Sequence, residues 1–221
     1  MCAVACLLTQ VPCRSCASST SFGGNVNNYY DPENSYLNAL LRTRRGIPIS
    51  LGVLWMELAQ GLGLSVRGVG FPGHFLVKVH LPMGQAVLDP MTGHSLSREE
   101  LAERLDPYRR RNGLVDEFDV PLGLYLQTAP PREIIGRMLR NLKEIYRTQE
   151  DWERMLAVQE RLVVLMPESW PEYRDRGLAH AELGHTDQAV ADLECYLVHS
   201  DDLVDVDAIA DRVDEVRRLN G

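Results

Sequence analysis

The sequence predicts an α+β domain followed by an all-α segment, and three observations carry that expectation. Two helical patterns precede three short strand-like runs, and a further helix follows them. Beyond Pro130-Pro131, apolar residues recur only at helical spacing. Within that last stretch the pattern repeats at an offset of 34 residues. The expected divisions are an extension over residues 1–21, an α+β domain over 22–129 and a helical segment over 130–221.

The elements follow in order. Residues 1–21 hold Cys2, Cys6, Cys13 and Cys16 among Ser, Thr and Ala. Cys13-x-x-Cys16 has redox or zinc spacing, but no second pair or suitable His pair follows, so a disordered extension is expected. No basic residue precedes the short apolar stretch at the start, which argues against a secretory signal. Asp31-Pro32 opens the first helix by N-cap and first-turn chemistry; Tyr36, Leu37, Leu40 and Leu41 form its stripe and Gly46 stops it. A central helix is expected from about Ser50 to Leu62, with Leu51, Leu54, Trp55, Leu58 and Leu62 on its apolar face. Strands follow at Ser65–Val69, Phe75–Leu81 and Ala86–Leu88, the last two joined by a turn over residues 82–85. Ser97 and Glu100 are spaced as a capping box for a helix to Leu105. Arg109-Arg110-Arg111, beside Pro107 and Asn112-Gly113, reads as a solvated turn.

In the helical segment Tyr146 maps onto His180, Met155 onto Ala189, Gln159 onto Leu193 and Leu162 onto Tyr196. This is the tetratricopeptide (TPR) period. Small residues Gly177, Ala181, Gly184 and Ala189 fall where paired helices touch, and residues 203–219 form a closing helix.

The composition is that of an ordinary globular protein: 45% apolar, 24% charged, net charge −8. Charge is uneven. Residues 1–149 carry 16 Lys and Arg against 13 Asp and Glu, whereas residues 150–221 carry 7 against 18. The acidic half repels nucleic acid and favours basic partners. No apolar run approaches membrane-spanning length. With Cys195 read as a buried apolar residue, nothing demands an oxidising compartment, and a cytoplasmic location is expected.

Three blocks together resemble the bacterial SirB-type (invasion regulator) family: "YYDPENSYLNALLRTRRGIPISLGVLWMELAQGLGL", "GVGFPGHFLVKV" and "VLDPMTG". The resemblance runs from about Phe22 to about Asp202. It implies a transglutaminase-like (papain-like) core, with an antiparallel sheet on a central helix, followed by TPR-like repeats. Active members of that wider superfamily use Cys, His and Asp. His74 matches the His and Asp89 the Asp, but no Cys stands near Pro48–Ser50, where the nucleophile belongs.

Ser50 is the one candidate nucleophile at the expected helix start. It would need His74 within hydrogen-bond reach, and it has a competing role as N-cap of the central helix. A turn across residues 82–85 would set Asp89 opposite Lys78, on the face shared with His74; a Lys78–Asp89 ion pair is the alternative. Gly68, Gly70 and Gly73 formally read G-x-G-x-x-G, yet a strand follows where a dinucleotide site needs a helix. His74, His80, His94 and Asp89 match no strong zinc pattern, so neither metal nor cofactor is expected.

Two functions fit. One is a pseudoenzyme: a transglutaminase-like/TPR module that binds a protein or peptide without catalysis, the repeats either docking a partner or buttressing the core. The other is a hydrolase or acyl transferase using Ser50, His74 and Asp89. No nucleic acid or membrane partner is expected, and the sequence leaves the oligomeric state open.

Overall fold

The computed structural model describes residues 22–25, 27–114, 120–199 and 205–219. The expected extension at 1–21, with Cys13 and Cys16, lies outside them. The chain divides into two compact units between Ile134 and Ile135.

In the first unit, strand β1 (Gly23–Gly24) pairs in parallel with β2 (Arg45–Gly46). Between them lie a 3-10 turn, Pro32–Ser35, capped by Asp31, and helix α1, Leu37–Thr43. The single helix expected here is thus broken at Tyr36. Its stop is Arg44, in the left-handed region at φ 57°, while Gly46 belongs to β2. Only Ala39 and Leu40 of α1 are buried.

Helix α2 (Pro48–Gly61) begins two residues before the expected start, because Pro48 sits at its first position, where the missing N–H costs nothing. Its first five residues are buried, whereas Leu58 and, just past its end, Leu62 face outward at 53% and 52% exposure. The antiparallel sheet runs β3 (Ser65–Val69), β4 (Leu76–Leu81), β5 (Gly84–Leu88) and the short β6 (Ser95–Leu96), in that spatial order. Pro82-Met83 forms the β4–β5 turn, with Leu81 opposite Gly84.

Helix α3 (Arg98–Arg111) starts with the Ser97–Glu100 capping box. It continues through Pro107, so Arg109–Arg111 form its last turn and not a solvated loop. Arg109 shares the buried stripe of Leu101 and Leu105, four residues apart on one face, and donates to Val120 O at 3.1 Å. Leu101 and Leu105 pack with Val69, Phe71, Leu76 and Leu122, the last from the short helix α4 (Leu122–Tyr125).

Helices α5 (Pro131–Thr148), α6 (Trp152–Leu165), α7 (Trp170–Glu182), α8 (Thr186–His199) and α9 (Val206–Leu219) complete the chain. The ends of α5 and α7, and the starts of α6 and α8, are 34 residues apart. Within the second unit, Leu142, Tyr146, Met155, Val158, Leu162 and Ala179 form one apolar layer. Leu193, Tyr196, Ile209 and Val213 form the next. Gly177 lets α7 approach α8: a Cβ there would meet Leu193 Cγ at 2.8 Å. Among the described residues no helix is long and apolar enough to cross a membrane.

Candidate active site around His74 and Asp89

His74 is placed by a turn and an anchor. Pro72 and Gly73, the latter at φ 69°, occupy the central positions as a type II turn requires, and His74 N–H donates to Phe71 O at 3.1 Å. The next residue, Phe75, is clamped between two glycines. A Cβ on Gly52 of α2 or on Gly68 of β3 would stand 2.6 Å from its ring. The aromatic ring therefore fixes the start of β4 against both the central helix and the neighbouring strand.

Asp89 follows β5. Its backbone N–H donates to His94 O at 2.9 Å and its carbonyl accepts from Gly93 N–H at 2.7 Å. The observed register pairs Val77 with Leu88 and Lys78 with Val87. Continued by one residue it sets Asp89 opposite Leu76, not Lys78. The shift is two residues, so alternation keeps Asp89 on the His74 face. Lys78 does not pair with Asp89; its ammonium donates to Leu126 O.

The two side chains meet. His74 Nε2 lies 3.1 Å from Asp89 Oδ1. That oxygen also accepts Met91 N–H at 2.9 Å, while Oδ2 accepts Arg104 Nη1 at 2.8 Å. Arg104, from α3, is the ion-pair partner that sequence reasoning missed. Its one signal is position: it falls between Leu101 and Leu105, so the helix carries it along the core edge. Asp89 is only 3% exposed. Burial alone would raise its pKa, but the hydrogen bonds from His74, Met91 N–H and Arg104 outweigh burial and hold the carboxyl well below its ordinary range. His74 keeps 24% of its side chain exposed, and its Nδ1 has no partner among the described residues.

Ser50 lies apart from this pair. It is fully buried, and its hydroxyl makes no hydrogen bond to His74. It donates to Asn34 O at 2.6 Å, with Ile47 O at 3.1 Å, and accepts Ile47 N–H at 3.1 Å. The expected N-cap role is corrected too: Ile47 is the N-cap, and Ser50, at the third helical position, reaches back to its N–H. The surroundings are tight, for a Cβ on Gly46 would stand 2.7 Å from Ser50 Oγ. The one free cysteine among the described residues is Cys195, on α8. No group of three or more His, Cys, Asp or Glu that could hold a metal occurs among them, and His80 and His94 make no cluster with His74.

An imidazole at the entry of one strand, held by a carboxylate at the exit of the next, is the His–Asp pair that a transglutaminase-like core implies, and residues 47–53 at the start of α2 hold no cysteine. The family comparisons agree: residues 7–140 match the transglutaminase-like superfamily, to which the chain belongs, and residues 142–214 match the tetratricopeptide repeat. The chain is 43% identical over 177 residues to a UPF0162 protein of Xylella fastidiosa, covering 80% of this chain and 62% of that protein. It is 31% identical over 185 residues to UPF0162 protein PA3419 of Pseudomonas aeruginosa, covering 84% and 66%. It is 29% identical over 166 residues to UPF0162 protein YchA of Escherichia coli K12, covering 73% and 58%. The chain thus spans less than two thirds of the length of these relatives. No solved structure matches it.

Proposed function

We propose that this protein is a non-catalytic transglutaminase-like/TPR module, acting in the cytoplasm through a protein or peptide partner, with neither nucleic acid nor membrane as its target. One observation carries the reading: the Ser50 hydroxyl is buried and bonded to Asn34 O and Ile47 N–H, away from His74. A base is useful only when an acidic group lies within its reach. In this reading the first unit presents the His74–Asp89 surface, and the repeats supply the docking platform.

The rival reading is a hydrolase or acyl transferase using Ser50, His74 and Asp89. What favours it is the intact His74–Asp89 pair with Nδ1 open. The deciding experiment assays ester, amide and amine-transfer substrates with the unaltered protein, Ser50→Ala and His74→Ala. No turnover above background in any of the three supports the module. Turnover that both folded variants lose overturns it. A Ser50→Cys variant adds a chemical probe: a buried thiol alkylates slowly at neutral pH, whereas a thiolate paired with His74 alkylates fast.

A further inference from the structure

The second repeat carries a histidine pair that the reading above does not use. Helix α7 ends in a Schellman arrangement. Gly184 takes φ 72°, Gly184 N–H donates to Ala181 O at 3.1 Å, and His185 N–H donates to His180 O at 2.9 Å. This motif sets the residue three before the cap beside the residue two after it, most often as an apolar contact. Here those residues are His180 and His185. Their Nδ1 atoms are 3.1 Å apart and their ring centroids 5.4 Å apart. The first repeat makes the same turn, with Glu150 N–H on Arg147 O at 3.2 Å and Asp151 N–H on Tyr146 O at 2.9 Å. The equivalent positions there hold Tyr146 and Asp151, so the imidazole pair is peculiar to the second repeat.

We propose that His180 and His185 form a two-nitrogen site for a divalent transition-metal ion of the zinc class on the surface of the second repeat. Neutral imidazole nitrogens bind such ions at about 2.0–2.1 Å, and two of them on one tetrahedral ion stand roughly 3.3 Å apart. The observed Nδ1 separation of 3.1 Å is close to that span, and a small ring rotation closes the difference. In the unliganded pair one Nδ1 donates and the other accepts; moving the donor's proton to its own Nε2 frees both Nδ1 lone pairs without changing the net charge. The two backbone hydrogen bonds fix both Cα positions beforehand, so only ring rotation is lost on binding. Arg176, the cation on the same helix, is held by both oxygens of Asp192 at 2.6 and 2.7 Å. No third protein ligand joins the pair among the described residues, so water, or a donor from a second molecule, completes the sphere.

The test uses the full chain with its cysteines alkylated, which removes thiol binding. Zn²⁺ is titrated while the ring nitrogen resonances of His180 and His185 are followed by NMR. Both Nδ1 resonances move together with saturation at one ion, and His180→Gln and His185→Gln each lose the transition. If Zn²⁺ moves neither ring, or if a folded single variant binds as tightly as the unaltered protein, the proposal fails. The thermal midpoints of the metal-free variants establish folding. Should one of them unfold, the ring resonances of the unaltered chain decide alone.

Discussion

Asp89 and Glu172 are built alike and used differently. Both are carboxylates withdrawn from water, at 3% and 2% exposure, Asp89 held by three donors and Glu172 by two. Glu172 accepts Arg140 Nε at 2.6 Å and Lys143 Nζ at 2.8 Å, and Lys143 also donates to Asp175 at 2.7 Å. The chain of pairs runs on through Arg174 to Asp205, where Tyr196 also donates. The Lys143 side chain is only 8% exposed, and its bonding is turned inward. Asp89, by contrast, ends at His74, which is partly open and has a nitrogen to spare. A buried charge pair does not by itself mark a site. The mark is bonding capacity left unfinished at the rim.

The sharpest way to break this contrast is Glu172→Gln. It removes the buried carboxylate shared by Arg140 and Lys143 and leaves Lys143 with Asp175 alone, and weakening such a buried network costs about 3 kcal/mol. Urea unfolding followed by Trp152 and Trp170 fluorescence measures it. A loss under about 1 kcal/mol would put the network among surface pairs that stabilise little.

Asp89→Asn is expected to cost the first unit about 2–3 kcal/mol, less because His74 and Arg104 keep access to water. Its signature is in the pH dependence. The folded pKa of Asp89 lies below its ordinary value of 3.8, so its contribution is complete above the carboxylate range and is lost as pH falls through it. From about pH 5 downward the unaltered protein loses this stability and Asp89→Asn has none of it to lose. Parallel acid limbs for the two proteins would show that Asp89 is not held as the geometry implies.

Ser50→Ala leaves Ile47 N–H and Asn34 O without their buried partner, a cost of about 1–2 kcal/mol in the denaturation midpoint of the first unit. A smaller effect separates the two repeat turns. Glu150 occupies the left-handed position, φ 55°, that Gly184 fills in the second repeat. Glu150→Gly is therefore expected to stabilise the second unit by about 0.5–1 kcal/mol, read as a rise in its thermal midpoint.

Periodicity and spacing made much of the fold legible. The strand runs, the Ser97–Glu100 box and the 34-residue offset all rest on local signals that tertiary packing reinforces. The shared face of His74 and Asp89 was readable although the register was two residues off, because alternation tolerates even shifts and no others. Three features were not readable. The break at Tyr36 carries no local signal, whereas the start at Pro48 does, in its proline at the first helical position. The passage of α3 through Pro107 depends on burying Leu105 and Arg109 on either side of it, which outweighs the lost backbone bond. Arg104 reaches Asp89 across 15 residues of chain, a distance at which sequence carries no pairing signal.

The matched turns after α5 and α7 have a consequence for how the molecule can change size. Each turn delivers the next helix at the same phase, 34 residues on, so the segment between them is a unit of currency that the chain can spend again. A tandem copy of residues 152–185, spliced after His185, would run helix into helix with its caps intact and its apolar stripe in step. Lengths that are not multiples of that unit would rotate the following stripe toward solvent. The helical half can therefore lengthen by duplication in whole steps, while the strand-borne half, whose two key residues lie on opposite sides of one hairpin, cannot.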